Sequence, residues 1–197
     1  MKFIFKKIAW ITRPIFIIFL SIFFDRKYLT GHYFNDSLGG FVWAFHSIWI
    51  KNVLRLSSPK PWPTGLTCHI SVPDNIFFHP DDLNNFQSPG TYFQNFKGCI
   101  HIGRGSYIGP NVGIITANHK LDDLDSHDDG HDVIIGEKCW IGMNAIILPG
   151  VVLGPCTVVA AGSIVNKSFP EGYNLIGGVP ARLLKKINPY VSNPALH

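Results

Sequence analysis

The chain contains no CxxC pair. Its four cysteines, Cys68, Cys99, Cys139 and Cys156, are widely spaced. Neither a disulfide frame nor a closed zinc knuckle is therefore expected, and they read as reduced residues of a cytosolic protein. A phosphate-binding P-loop, a dinucleotide fingerprint and a nucleophilic-serine elbow are also missing, so the sequence gives no support to those chemistries. No apolar run reaches the roughly 20 residues that one spanning helix needs. The longest, PIFIIFLSIFF at 14–24, is closed off by Arg13 and by Asp25-Arg26-Lys27. It resembles the apolar region of a signal peptide, but no small-x-small cleavage site follows it.

Charge is unevenly divided. Residues 1–60 carry nine Lys/Arg against Asp25 and Asp36, 9 − 2 = +7, and the remainder carries eight basic against eleven acidic residues, 8 − 11 = −3. A basic, apolar leading segment points to an anionic surface. Because the positive charge sits in that greasy segment, nucleic acid is not an expected partner. Within it, FVWAFHSIWIKNVLRL (41–56) reads as an amphipathic helix, with Phe41, Phe45, Ile48 and Trp49 near one face and Ser47, Lys51 and Arg55 on another. Aromatics beside Lys/Arg suit a helix lying in a membrane interface. The competing expectation is that 1–60 caps the following domain or packs in an oligomer.

What the sequence does have is a rhythm of six. Ile135, Ile141, Ile147, Leu153, Val159 and Val165 recur at that interval, with Ile102, Ile108 and Ile114 upstream. Neither a helix nor a flat strand repeats at six, so the chain winds through equal short steps. The residue after the aliphatic is usually small (Gly103, Gly109, Gly136, Gly142, Gly154, Ala160), which is expected to let the backbone turn. The position four after it is small or compact: Ser106, Val112, Cys139, Ala145, Val151, Thr157, Ser163. One hexad cannot bury its own apolar face, whereas stacked coils bury a continuous ladder. The rhythm breaks between Ile114 and Ile134, where TANHKLDDLDSHDDGHDV (116–133) is inserted. A polar loop leaving a repetitive scaffold is a natural place for function.

The pattern [Ile/Leu/Val]-Gly-x-x-[small]-x resembles the hexapeptide-repeat acyltransferases. PNVGIITANH (110–119) and CWIGMNAIILPGVVLG (139–154) look like their galactoside, maltose and polysaccharide O-acetyltransferase branch. The resemblance, over about residues 64 to 187, implies an all-β fold, a left-handed parallel β-helix over 61–180, followed by a short helix and tail at 181–197; the apolar and basic residues of 1–60 themselves read as an α-helical appendage. The resemblance also implies acetyl-CoA as donor, a sugar hydroxyl of a capsule, O-antigen or other surface-glycan precursor as acceptor, and a homotrimer. His119 falls at the place of the family's catalytic histidine. Such a group is chemically required, because an alcohol is a weak nucleophile and imidazole can take its proton. Asn95, with Asn85 as the reserve, and Trp140 would meet the acceptor. Met143 and Ala161 would meet the pantetheine arm, and Asn166, Lys167 and Arg182 the nucleotide end. Lys167 and Arg182 also suit phosphate physically. His127 and His131, four apart among six aspartates, read as solvated, and no metal is expected. The expected location is cytoplasmic, peripheral on the inner membrane face. A small soluble acceptor, or a non-catalytic β-helix scaffold, remain alternatives.

Overall fold

A computed structural model describes residues 12–188. Lys2, Lys6, Lys7 and Trp10 of the basic segment, and the tail beyond 188, lie outside the described residues. The chain divides into two compact units, Met1–Leu66 and Thr67–His197.

In the first unit, residues 12–20 form helix α1, His32–Asn35 form α2 and Gly39–Ile48 form α3. The Ser37 hydroxyl accepts the Gly39 N–H at 3.2 Å where α3 begins. The helix loosens into a π turn at Trp49–Val53, and Arg55 then takes a positive φ that ends it. Leu20, Phe24, Phe34, Phe41, Ala44 and Ile50 make the core. Of the apolar face expected for 41–56, Phe41 is buried while Phe45 and Trp49 are exposed. Ser47 and Lys51 are buried: the Ser47 hydroxyl accepts the Thr64 N–H, and the Lys51 ammonium donates to Ser57 at 3.1 Å. Val42, Phe45, Trp49 and Val53 are exposed instead. Their spacing of three to four residues makes one continuous apolar stripe. Ser47 and Lys51 turn inward and find partners, while part of the apolar set stays outside.

The second unit is a parallel β-helix of three sheets. One holds β1 (His69–Ile70), β3 (Tyr92–Gln94), β6 (Gly113–Ile115), β9 (Ile146–Ile147) and β12 (Ile164–Val165). The second holds β2 (Ile76–Phe77), β4 (Ile100–Ile102), β7 (Val133–Ile135) and β10 (Val152–Leu153). The third holds β5 (Tyr107–Ile108), β8 (Trp140–Ile141), β11 (Val158–Val159), β13 (Asn174–Gly178) and β14 (Ala181–Lys186). Register stacks Ile135 on Ile102 and Leu153, Val159 on Ile141 and Ile176, and Ile147 on Ile114 and Val165. All of these aliphatics are buried. Each contributes about 1.5–3 kcal/mol relative to exposure.

The compact position four after each aliphatic is buried throughout, from Ser106 to Ser163. Its hydroxyls bond the corner carbonyls: Ser106 donates to Gly136 O at 2.7 Å and Thr157 to Gly154 O at 2.8 Å. The glycines after the aliphatics serve a different purpose from the one expected. Gly103, Gly109, Gly136, Gly142 and Gly154 do not have left-handed φ; a Cβ on them would strike the backbone of the next coil. The left-handed corner lies two residues further on, at Gly105, Asn111, Lys138, Asn144, Gly150, Cys156 and Gly162. All four cysteines are free, and burial pushes the Cys139 thiol up, away from reactivity.

The short helix expected within 181–197 does not form at 181–186. Residues 181–186 form β14, antiparallel to β13 with a register shift at Leu175/Ile176. The run ARLLKK has no strong intrinsic preference for strand. Pairing with the last strand of the third sheet satisfies backbone groups along it, and that tertiary gain overrides local propensity.

Candidate active site

The insertion leaves β6 at Thr116 and returns to β7 at Val133. Gln94, on the coil before, holds its exit. The Gln94 Oε1 accepts the N–H groups of Thr116 (3.1 Å) and Ala117 (3.2 Å), and its Nε2 donates to Ala117 O at 3.1 Å. Thr116 Oγ1 donates to Gln94 O at 2.9 Å. The return is held by the His131 N–H on Thr116 O (2.8 Å) and by the Lys97 ammonium, which donates to the carbonyls of His127 and Asp128 at 3.2 Å each. Gly130 is required there, since a Cβ would lie 2.2 Å from Lys97 O. Gln94 and Lys97 were not picked out as site residues from the sequence. A long polar residue on either side of the Asn95-Phe96 step was the only signal.

Between these anchors the loop folds on itself. His119 and His127 form an antiparallel bridge, with Asp128 N–H on Asn118 O at 2.9 Å and Lys120 N–H on Ser126 O at 3.0 Å. Asp123 nucleates the tip by accepting from Asp125 N–H and from the Ser126 hydroxyl. This brings Leu124 O to 2.8 Å from the Nδ1 of His119. A carbonyl can only accept, so Nδ1 carries the proton and a neutral ring leaves Nε2 with its lone pair free. The His127 ring lies 4.1 Å from that of His119, and Phe96 meets His127 edge-on at 5.0 Å. His127 is thus a packed neighbour of His119 rather than the solvated residue expected, whereas His131 is exposed.

The two asparagines are used otherwise than expected. The Asn95 amide accepts from Val72 N–H at 2.9 Å and donates to Val72 O at 2.7 Å. Asn85 accepts from Ile108 N–H at 2.8 Å and donates to Ser106 O at 2.9 Å. Each side chain imitates a strand's N–H and C=O, extending a ladder where the early coil lacks one. Asn85 sits on a 3-10 turn, Pro80–Phe86, under β5. Both are fully buried, so neither presents an amide to an acceptor.

Trp140 stands half-exposed on the outer face of the third sheet, not on the loop with His119. It walls a groove of about 450 Å³, with Val158, Leu175, Lys185 and Lys186. Met143 and Ala161 share one corner of consecutive coils, where Gly162 N–H bonds Met143 O at 2.9 Å and both side chains are exposed. Arg182 lies on β14 opposite Gly177, which packs against Ala160. Asn166 and Lys167 leave the first sheet after β12, and the Lys167 ammonium rests 5.5 Å over the Phe169 ring. The five residues are therefore all at the surface, but on two edges of the chain.

The family model described as bacterial transferase hexapeptide (six repeats) matches residues 132–167. A galactoside O-acetyltransferase of Lactococcus lactis is 33% identical over 132 residues, 59% of this chain and 63% of that one. A protein of Escherichia coli assigned to lipopolysaccharide biosynthesis O-acetyl transfer is 37% identical over 101 residues, 45% of this chain and 51% of its own. The chain spans about half the length of several of the curated relatives it matches. A Dictyostelium discoideum protein assigned to the acetyltransferases is 41% identical over 130 residues, 59% of this chain and 68% of that protein. With the six-residue ladder and the stacked parallel coils, that similarity settles the kinship: the chain belongs to the hexapeptide-repeat acyltransferase family.

Proposed function

We propose that the chain is an acetyl-CoA-dependent O-acetyltransferase built on a left-handed β-helix, working as a homotrimer on a sugar hydroxyl of a surface-glycan precursor. The observation that carries this reading is the state of His119: exposed, held through Nδ1 by Leu124 O, with Nε2 free to accept a proton. In the reaction, Nε2 takes the acceptor's hydroxyl proton as its oxygen attacks the thioester carbonyl. The carbon–sulfur bond then breaks, and the imidazolium returns the proton to the departing thiolate. Backbone N–H groups beside the carbonyl stabilise the tetrahedral oxyanion. Met143 and Ala161 accommodate the pantetheine arm, while Asn166, Lys167 and Arg182 meet the nucleotide end. The positions are exposed, as a donor site requires. The sugar acceptor is supported by the names of the galactoside and lipopolysaccharide relatives.

The glycan precursor is lipid-linked on this reading, and the first unit holds the enzyme at an anionic membrane surface. The apolar stripe of Val42, Phe45, Trp49 and Val53, with Ile15, Ile18 and Ile22, supports this. No helix among the described residues is long and apolar enough to cross a membrane. Contact is therefore interfacial, the apolar stripe in the lipid and Arg/Lys at the headgroups. Co-sedimentation with phosphatidylglycerol vesicles tests it. The wild type is expected to pellet and a Phe45→Ser/Trp49→Ser variant to stay in solution; a wild type left in the supernatant overturns it. The donor assignment is tested by calorimetric titration with acetyl-CoA. Micromolar-scale binding that weakens in Lys167→Ala/Arg182→Ala supports it, and no binding by folded protein shifts the reading to a non-catalytic scaffold.

A further inference from the structure

Outside the site just described, stacking gathers three metal-ligating side chains of different kinds. Cys99 precedes β4, His101 lies on its outer face, and Asp132 is the last residue before β7 on the next coil. Sequence spacing does not join them; the parallel ladder does. The Val133 N–H bonds Cys99 O at 2.9 Å, and the Cys99 N–H bonds Asp132 Oδ1 at 2.7 Å. The thiol, imidazole and carboxylate ligand atoms all lie within 4.8 Å of one another, and His101 Nε2 is 3.9 Å from Asp132 Oδ2.

We propose that Cys99, His101 and Asp132 form a site for a thiophilic divalent cation, with Zn²⁺ as the best fit. A tetrahedral zinc with bonds of 2.0–2.3 Å sets its ligand atoms roughly 3.3–3.8 Å apart. The three groups therefore need to close by only about 1 Å, within the reach of a small side-chain rotation. Sulfur and imidazole together select zinc or cobalt over magnesium or calcium, which prefer oxygen. Outer contacts already orient the ligands, as metal sites require. The Asp132 carboxylate is fixed by the Cys99 N–H, and the His101 ring is stacked on Phe77 at 4.8 Å and 12°. The His101 and Asp132 side chains are about half exposed, which gives the ion a path in. Binding replaces the thiol proton with the metal and releases that proton to solvent; water completes the fourth position. Such an ion ties the end of the insertion, at Asp132, to the coil beneath it. It would brace the loop that carries His119 without touching the reaction.

The test is a Co²⁺ titration of the full chain after chelator treatment, followed by optical absorption. One equivalent per chain, with a sulfur-to-cobalt charge-transfer band displaced by Zn²⁺, is the expected result. Cys99→Ser should lose the band, and His101→Gln and Asp132→Asn should each weaken binding about tenfold or more. Cys156→Ser should leave it unchanged. Circular dichroism of each variant separates loss of the site from loss of the fold, and three independent ligand variants guard against one failing to fold. A band that persists in Cys99→Ser, or no band at stoichiometric Co²⁺, overturns the proposal. Neither result depends on acetyl transfer.

Discussion

The glycine that follows each aliphatic can be tested against the glycine at the left-handed corner. An ideal Cβ on Gly103 would sit 2.4 Å from Gly136 C, 2.5 Å from Glu137 N and 2.6 Å from Gly136 O. Ordinary carbon contacts lie near 3.5–4.0 Å, so adjacent coils must part by about 1 Å. All three obstacles are backbone, which no rotamer change relieves. The strain falls beside the bonds from Gly103 N–H to Ile135 O and from Ser106 Oγ to Gly136 O, both 2.7 Å. Overpacking costs about 1–3 kcal/mol, and one stretched ladder bond adds about 1 kcal/mol. Gly103→Ala should therefore lose roughly 2–4 kcal/mol. Gly162 has a φ of +71° and nothing within 4 Å of its would-be Cβ. Gly162→Ala should lose only about 1 kcal/mol, the cost of a left-handed alanine. Urea denaturation of both variants at one protein concentration measures the difference. Equal losses, or a larger loss in Gly162→Ala, would refute the close-approach argument.

Two further outcomes follow from the polar groups. Burial raises the Asp82 carboxyl above its ordinary value, partly offset by the Gly105 N–H that both its oxygens accept. The folded chain then keeps a proton that the unfolded chain has released, so Asp82's contribution is greatest below the ordinary carboxylate range and is lost as pH rises through the raised value. Stability measured across that window should fall less steeply in Asp82→Asn; an unchanged slope would exclude Asp82 as its source. Gln94→Ala removes three bonds at the base of the insertion, and misplacing His119 by about 1 Å should lower kcat by about 10- to 100-fold. A fall in donor affinity with kcat unchanged would place Gln94's effect elsewhere.

The ladder was legible because the interval of six reflects a geometric repeat that every coil must obey. The left-handed corner was less so. Asparagine or glycine holds it at Gly105, Asn111, Asn144, Gly150 and Gly162, but Lys138 and Cys156 hide the pattern. Those two are carried into αL by the stacking of their coils, against local preference. The strand at Ala181–Lys186 was illegible for the same kind of reason, since only the free edge of β13 gives it a partner. Asn85 and Asn95 were recognised as residues but not in their use, because a side-chain amide standing in for a strand depends on which backbone groups the early coil leaves open. His119 was singled out through the resemblance of 110–119 to the acetyltransferase motif. The partners that set its tautomer and pack its ring, Leu124 O and His127, depend on how that loop closes. A helical wheel groups Ser47 with Lys51 but does not show that this polar side is the covered one.

The proposed general base of acetyl transfer is His119. The most direct measurement is the rate of coenzyme A thiol release from acetyl-CoA with a panel of sugar acceptors, wild type beside His119→Ala. Turnover should fall by about 10²- to 10⁴-fold, with circular dichroism, oligomeric state and acetyl-CoA affinity unchanged. Undiminished turnover in the variant would rule out His119 as the base.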